Sequence, residues 1–160
     1  MKRTPAILIT VSALTVAGIA VHEGYRSRAY EDGAGVQTVG FGSTRHLDGR
    51  PVKPGDTVTP ERAVLMLATD ADRIWREAAA CIGDVPLSAG EAAAFQSLAY
   101  NIGSRAFCRS TLVKKLKQTP PDYAGACREI LRWVYAGGRE RPGLVKRREH
   151  EFRLCMGEQP

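Results

Sequence analysis

Residues 88–103 read SAGEAAAFQSLAYNIG, and this stretch decides the fold. Ser88 and Glu91 have the spacing of a capping box, the pattern that begins a helix. Residues 92–100 are almost wholly apolar, so a helix over 89–101 has no face that suits water and must be covered on all sides. The sequence therefore predicts a core that is built around one central buried helix.

Further helices are predicted on both sides of this central helix. Upstream, Thr59 caps a helix that has Pro60 at its first position and apolar residues at helical spacing, and we expect it to run over 60–81. Downstream, the pattern predicts short helices at 110–118 and 121–135, a loop at 137–143 and a last helix at 143–156.

A small hairpin region precedes the long helix, because two short runs at 25–30 and 36–41 flank the turn-rich residues 31–35. The chain has 160 residues, of which 44% are hydrophobic and 25% charged. This balance excludes a disordered tail, a collagen-like fibre and a polytopic membrane protein. The predicted fold class is α+β and mainly helical, with a small β-hairpin lobe and a helical lobe joined by a long helix.

The chain is basic, with 23 lysines and arginines against 17 acids and a net charge of +6. Such a charge favours anionic partners: nucleic acid, acidic lipid or cell-wall polymer. A DNA-binding module would need a recognition element and a soluble N-terminus, and neither is found, so we expect no nucleic-acid partner. The basic runs at 114–117 and 146–148 are interpreted as solvated helix faces that could also hold the protein near an anionic polymer.

The N-terminus begins with Met1-Lys2-Arg3, and residues 5–21 then carry no charge. A basic head before an apolar stretch is typical of an export signal. The stretch is about 17 residues long, near the lower limit for crossing a bilayer, and it is rich in small residues, so it can enter a membrane and also leave it. Three interpretations stay open: a signal peptide cleaved after Gly18-Ile19-Ala20, a buried core helix, and an uncleaved, releasable anchor.

Two carboxylates and a hydroxyl lie close together in the sequence around the predicted hairpin. Glu23 follows the apolar stretch, Asp32 lies nine residues later in the turn, and Thr38 lies six residues beyond it. Glycoside hydrolysis needs one carboxylic acid to protonate the leaving oxygen and a second carboxylate to position a water or attack the sugar. On spacing alone, the alternative of a solvated surface Glu23 and a turn-forming Asp32 stays open.

The wider pattern resembles phage-type lysozymes, the muramidase endolysins. The motifs that carry the resemblance follow one another in the family's order: EGYR at 23–26, AYED at 29–32, TVGFG at 38–42, FQSLAYNIG at 95–103, Phe107 with STL at 110–112, RW at 132–133 and PGLVKRRE at 142–149. The resemblance covers residues 22–157 and includes the positions of the family's catalytic Glu, Asp and Thr. It implies a lysozyme-like fold.

The resemblance also implies a glycoside hydrolase, an N-acetylmuramidase that cleaves the β-1,4 bond between N-acetylmuramic acid and N-acetylglucosamine in peptidoglycan. Glu23 would be the general acid, and Asp32 and Thr38 would hold the attacking water, with inversion at the anomeric carbon. Tyr100 and Asn101 are candidate substrate-binding residues, with helix-end packing as the alternative. We predict no cofactor and, because the histidines have no ligand-like partners in the sequence, no metal.

The same resemblance bears on the apolar stretch. In the family a helix ends at the catalytic Glu, and here only the apolar stretch can supply it, which favours the uncleaved anchor. The arrangement is similar to signal-arrest-release (SAR) endolysins, with an anchor helix at 1–21 and a catalytic domain at 22–160. This implies export by the host secretion machinery, insertion in the inner membrane through residues 5–21 with the N-terminus in the cytoplasm, and release into the periplasm in step with a holin or pinholin.

Release is expected to depend on the membrane potential, because it carries Lys2 and Arg3 outward across the bilayer. At about 2.3 kcal/mol per charge per 100 mV, these two charges add roughly 5 kcal/mol to the free energy that retains the protein in the membrane. We expect a monomer that acts in host cell lysis. The alternative from another class is a non-catalytic, membrane-tethered peptidoglycan-binding protein on the same fold. The intact Glu23, Asp32 and Thr38 count against it.

The cysteines all follow the hairpin region, at positions 81, 108, 127 and 155. An oxidising periplasm favours disulfides. If the helices at 110–118 and 121–135 form a hairpin, Cys108 can meet Cys127, which leaves Cys81 for Cys155; buried free thiols are the alternative. The apolar stretch contains no cysteine, which argues against activation by thiol exchange with the anchor.

Overall fold

The structure is a computed structural model that describes residues 2–33 and 35–158. In chain order its elements are β1 (Thr4–Pro5), a short 3-10 helix (Ala6–Leu8), α1 (Ala13–Glu23), β2 (Arg26–Glu31), β3 (Gln37–Gly40), α2 (Pro60–Ile82), β4 (Pro86–Leu87), α3 (Ala89–Ile102), α4 (Ser104–Arg109), α5 (Thr111–Leu116), α6 (Tyr123–Ile130), β5 (Tyr135–Ala136), β6 (Arg139–Glu140) and α7 (Pro142–Cys155). These elements confirm the predicted mainly helical α+β class and the predicted hairpin, long helix and central helix.

The chain divides into two compact units, which we call the hairpin unit (Val11–Arg73) and the helical unit (Met1–Thr10 with Ile74–Pro160). The long helix α2 begins in the hairpin unit and ends in the helical unit. Residues 2–10 therefore belong to the same compact unit as the C-terminal helices.

In the hairpin unit, β2 and β3 pair antiparallel with Tyr30 opposite Thr38. The apolar core of this unit consists of Val39, Val52, Val58, Ala63 and Met66, with Ala29 and Phe41 packed against it. Gly40 ends β3 with φ +69°, and a Cβ at this position would lie 2.9 Å from the Cβ of Ala63 in α2. The strand thus approaches the first turns of α2 more closely than any other residue type allows.

The helical unit is built around α3, as the sequence predicts. Ser88 and Glu91 form the expected capping box at its start, and most of its side chains, Phe95 among them, are buried. The helix packs against α7, and at Gly90 a Cβ would overlap the carbonyl oxygen of Leu154.

Residues 4–6 are hydrogen-bonded to the segment that precedes α3 in the helical unit. β1 pairs antiparallel with β4, Thr4 opposite Leu87, and the Ala6 N–H donates to the carbonyl of Val85 (3.1 Å). The helix α1 begins only at Ala13. Within residues 2–33 and 35–158, no helix is long and apolar enough to cross a membrane.

Two predictions about the C-terminal half are wrong in detail. The helix predicted over 121–135 ends at Ile130, because the next N–H groups bond three residues back and tighten the chain into turns. The loop predicted at 137–143 contains β6 and the turn of the hairpin β5–β6, in which Gly137 and Gly138 both have positive φ, as a tight hairpin turn requires.

The four predicted disulfide cysteines are all bonded, but the pairing differs from the prediction. The bonds join Cys81 to Cys108 and Cys127 to Cys155, with Cα–Cα distances of 5.6 and 5.7 Å. The prediction failed because it did not foresee α4, which carries Cys108 beside the last turns of α2; there Ser104 hydrogen-bonds the carboxylate of Glu77. Packing of α6 on α7 then brings the other two cysteines together.

Candidate active site

Glu23 is the last residue of α1 and is half-buried. The helix begins where the Ser12 hydroxyl accepts a hydrogen bond from the Thr15 N–H (3.1 Å). It ends because Gly24 turns to φ 70° while its N–H still bonds to the carbonyl of Ala20 (3.2 Å). Glu23 therefore lies at the C-terminal end of α1, and the turn at Gly24 sets where that end falls.

Asp32 lies in the turn directly after β2. Its carboxylate oxygen Oδ1 accepts a hydrogen bond from the Val36 N–H (2.9 Å), and its own N–H donates to the carbonyl of Val36 (2.9 Å). These two bonds close the turn across residues 32–36. Asp32 therefore has the turn-forming role that the sequence allowed as an alternative.

Thr38 lies on β3 and is buried. Its hydroxyl donates to the carbonyl of Tyr30, the residue opposite it on β2 (3.2 Å). Because a hydroxyl has one proton and two lone pairs, this bond orients the Thr38 oxygen as an acceptor. The hairpin thus places an acceptor hydroxyl and the carboxylate of Asp32 at the same end.

Tyr25 supports this region and was missed by the sequence reasoning. Its hydroxyl donates to the carbonyl of Val58 (2.6 Å), and its ring lies 5.7 Å from that of Phe41, centroid to centroid. Tyr25 immediately follows Gly24, so these contacts fix the chain where it leaves Glu23. An aromatic residue beside a helix-ending glycine is the only sequence signal that could have indicated this role.

A loop of the hairpin unit is held by a polar cluster around Asp56. The carboxylate oxygen Oδ2 of Asp56 accepts from the Lys53 N–H (3.0 Å), lies 2.8 Å from Nε2 of His46, and accepts from Arg50 (3.1 Å). The hydrogen bond from the Lys53 backbone, with those from His46 and Arg50, lowers the pKa of Asp56 from 3.8 to about 2. The carbonyl of Asp56 also accepts a hydrogen bond from the N–H of Ala29 in β2 (2.8 Å), so this loop stabilises the β2–β3 hairpin.

Tyr100 and Asn101 lie in the helical unit, at the C-terminal end of α3. Tyr100 is half-buried and Asn101 is exposed. The side-chain oxygen of Asn101 accepts a hydrogen bond from Nη2 of Arg148 (3.1 Å), so its orientation is set by α7.

The prediction that the basic run 146–148 is solvated is wrong for two of its residues. Arg147 and Arg148 are only 4% and 0% exposed. Arg148 Nε lies 2.9 Å from the Glu151 carboxylate, which also accepts from Arg147 (3.2 Å) and from the Ser97 hydroxyl (2.6 Å). Burial raises the pKa of Glu151, while Arg148, Ser97 and Arg147 act in the opposite direction. This ion network ties α7 to α3 beneath Asn101.

The helical unit also carries a shallow depression of about 490 Å³. It is lined by Ile102, Arg105, Ala106, Arg109, Ser110 and Trp133. Trp133 is half-buried and both arginines are exposed, so the lining combines an aromatic ring with two cations. Sequence reasoning missed this surface; its signal is the Arg-x-x-x-Arg spacing on α4, which places two cations on one helix face.

The chain is similar in sequence and in fold to phage lysozymes and endolysins. A family model described as phage lysozyme matches residues 20–151. The SAR-endolysin of Bacteriophage PS34 is 36% identical to this chain, over an alignment that covers 84% of this chain and 76% of that protein. The SAR-endolysin of Enterobacteria phage P21 is 33% identical over 98% of this chain and 95% of that protein. Among solved structures, the endolysin from Escherichia coli O157:H7 phage FAHEc1 has a TM-score of 0.81 at 30% identity, covering 95% of this chain and 96% of that one.

Proposed function

This chain belongs to the phage lysozyme family, and we propose that it is an endolysin, a glycoside hydrolase that degrades peptidoglycan in host cell lysis. The bond that we assign to it is the β-1,4 bond between N-acetylmuramic acid and N-acetylglucosamine. The observation that carries the proposal is one compact unit in which a helix ends at Glu23 and the hairpin after it holds Asp32 and Thr38 at one end.

In the proposed mechanism Glu23 is the general acid and protonates the glycosidic oxygen as the bond breaks. A water donates one hydrogen bond to the Asp32 carboxylate and a second to the Thr38 oxygen, whose own proton is bonded to the carbonyl of Tyr30. A lone pair of the water then attacks the anomeric carbon from the face opposite the leaving group, and Asp32 takes up the proton that the water loses. This single displacement inverts the anomeric configuration.

The proposed substrate is an anionic polymer, and the protein's charge suits it. The net charge is +6, and the depression on the helical unit adds two exposed guanidinium groups beside an aromatic ring. We assign Tyr100 and Asn101, at the end of α3, to substrate binding. The Arg148 contact supports this for Asn101, because it holds the side chain in one orientation before substrate arrives.

We further propose that residues 5–21 first reside in the inner membrane and leave it when the potential collapses. Two relatives that match most of the chain are SAR-endolysins. The outward positions of α1 support the proposal, because Leu14 and Val21 are 85% and 83% exposed and no Asp, Glu, Lys or Arg precedes Glu23 on this helix. An exposed helix face without charge is unusual in a soluble protein and is what a segment that also enters lipid requires.

The catalytic proposal is tested by release of reducing ends from purified peptidoglycan. We expect full-length protein to be active, and Glu23→Gln and Asp32→Asn to lose about 10²- to 10⁴-fold in kcat. A protein lacking residues 1–20 is expected to be inactive, because it lacks most of α1 and all of β1. Binding to sacculi without release of reducing ends would support the non-catalytic wall-binding alternative, and an active Glu23→Gln would overturn the assignment of the acid.

The membrane proposal is tested separately in cells. Full-length protein is expected in the inner-membrane fraction before an uncoupler is added and in the periplasmic fraction afterwards. Continued retention of full-length protein in depolarised membranes would contradict release by loss of potential. The result does not depend on whether the released protein is catalytically active.

A further inference from the structure

The side chain of Arg3 makes a two-point contact with Glu91 at the start of α3. Nη2 lies 2.7 Å from Oε1 and Nε lies 3.2 Å from Oε2. The Glu91 side chain is 5% exposed and that of Arg3 is 34% exposed, so the pair is largely shielded on the acidic side. A bidentate pair in such a setting is stronger and more directional than a surface ion pair.

Glu91 is held in place without any help from Arg3. Its Oε2 accepts the Ser88 N–H (2.7 Å), and its own N–H donates to the Ser88 hydroxyl (3.2 Å), which together form the capping box of α3. The carboxylate is therefore oriented by the central helix of the helical unit. It presents a preformed receptor to a guanidinium group that arrives later.

Tyr123 supplies a third side to this receptor. The guanidinium carbon of Arg3 lies 4.0 Å from the centroid of the Tyr123 ring, close enough for a cation–π contact. Tyr123 is the first residue of α6. One side chain near the start of the protein thus contacts two helices that lie far from it in sequence.

Residues 4–10 follow Arg3 in the same unit and lead in sequence to α1. The indole N–H of Trp75 donates to the carbonyl of Ile9 (2.8 Å), and the Gln96 side chain donates to the carbonyl of Thr10 (3.3 Å). Only Val11 and Ser12 separate Thr10 from the first residue of α1. Docking of residues 3–10 therefore fixes the chain up to two residues before α1, the helix that ends at Glu23.

We propose that Arg3 is a positioning residue: by inserting between Glu91 and Tyr123 it locks residues 3–10 onto the helical unit and sets the start of the helix that presents Glu23. The proposal rests on the proposed function in that Glu23 is taken as the acid. In the anchored state Arg3 would lie on the cytoplasmic side of a bilayer about 30 Å thick, out of reach of Glu91. The positive charge of Arg3 therefore helps to retain the protein in the membrane. After release, the planar guanidinium group of the same residue binds Glu91 and Tyr123 and holds residues 3–10 in place.

Charge and shape can be separated with Arg3→Lys. Lysine keeps the positive charge that the membrane potential acts on but cannot make the bidentate contact with a carboxylate. Glu91→Gln weakens the lock from the other side while keeping a capping-box acceptor for the Ser88 N–H. The matched control is Lys2→Ala, a substitution at the exposed neighbouring side chain.

The test is hydrogen exchange measured by mass spectrometry on purified full-length proteins, together with kcat and KM on peptidoglycan. We expect Arg3→Lys and Glu91→Gln each to speed exchange at residues 4–10 about tenfold, with α3 amides unchanged in Arg3→Lys. The value of kcat should fall in both variants while KM stays constant, because the acid is misplaced but the binding surface is intact. Lys2→Ala should match the wild type in every readout.

If the rate of hydrogen exchange at residues 4–10 in Arg3→Lys were within twofold of the wild-type rate, the proposal that Arg3 locks these residues onto the helical unit would be wrong. Faster exchange with an unchanged kcat would overturn the positioning role of Arg3. A wild-type protein without hydrolytic activity would refute the proposed function, and the exchange data would still decide whether Arg3 docks the N-terminal residues.

Discussion

The hydroxyl of Thr38 donates a hydrogen bond to the carbonyl of Tyr30 directly across the β2–β3 hairpin, at 3.2 Å. This bond consumes the only hydroxyl proton and turns the oxygen into an acceptor, which is what a residue that holds a nucleophilic water needs. We therefore expect Thr38→Val to lower kcat about 10- to 100-fold, since one hydrogen bond to the water is lost. The measurement is the rate of reducing-end release at saturating peptidoglycan.

Thr38→Ser is the matched control, because serine keeps the hydroxyl and loses only a methyl group. It should retain most of the activity of the wild type. If the serine variant were as impaired as the valine variant, the packing of the methyl group, and not the acceptor oxygen, would explain the effect.

Gly40→Ala is expected to destabilise the protein by roughly 1–3 kcal/mol, because the new Cβ would meet the Cβ of Ala63 at 2.9 Å and the residue has φ +69°. Gly42→Ala is the comparison that isolates the backbone cost, since Gly42 also has positive φ (+92°) but has no atom within 4 Å of its Cβ position. The free energies of unfolding are measured by urea titration. Adding Ala63→Gly to Gly40→Ala should recover part of the loss, and equal effects at positions 40 and 42 would refute the proposed contact with α2.

The sequence predicted the features that depend on neighbouring residues. The capping box at Ser88 and Glu91 and the Thr59-Pro60 start of α2 are local patterns, and the observed helix Pro60–Ile82 differs from the predicted 60–81 by one residue. The hairpin was also predicted, because a turn-rich segment between two short runs is a local signal. Spacing indicated Glu23, Asp32 and Thr38 as candidates but left a solvated Glu23 and a turn-forming Asp32 as the alternative, and the family resemblance assigned their catalytic roles.

The features that were missed depend on contacts between distant residues. Arg3 and Glu91 are 88 positions apart, and nothing near Arg3 indicates that its partner is the capping carboxylate of α3. Arg148 belongs to a run of basic residues that is usually solvated, and its burial follows only from the packing of α7 on α3. The disulfide pairing was wrong for the same reason, because it depends on where α4 places Cys108.

The acid sensitivity of the hairpin unit is expected to depend on Asp56. Its pKa is lowered from 3.8 to about 2 in the folded protein, so the folded state favours the ionised carboxylate. The stabilisation is fully present above the ordinary pKa of the unfolded chain and is lost as the pH falls through about 2. Asp56→Asn should therefore lower the free energy of unfolding at pH 5, and the difference from the wild type should shrink steadily between pH 4 and pH 2.

Asp48→Asn provides the control for this experiment, since Asp48 pairs with the same Arg50 but both side chains are more than half exposed. An exposed pair of this kind contributes little, so the variant should follow the wild type at every pH. A constant gap between Asp56→Asn and the wild type down to pH 2 would show that the loss is one of packing and not of charge.

The two disulfides are expected to differ in how fast they are reduced, although they close loops of similar length. Their sequence separations are 27 and 28, so the entropic model assigns each about 3–4 kcal/mol of stabilisation. Cys81 and Cys108 are half-buried, whereas Cys127 and Cys155 are 1% and 4% exposed. Because thiol exchange needs access to a sulfur atom, dithiothreitol under native conditions should reduce Cys81–Cys108 first. Alkylation followed by peptide mass spectrometry measures the order, and earlier labelling of Cys127 and Cys155 would show that α7 opens more readily than its buried contacts with α3 imply.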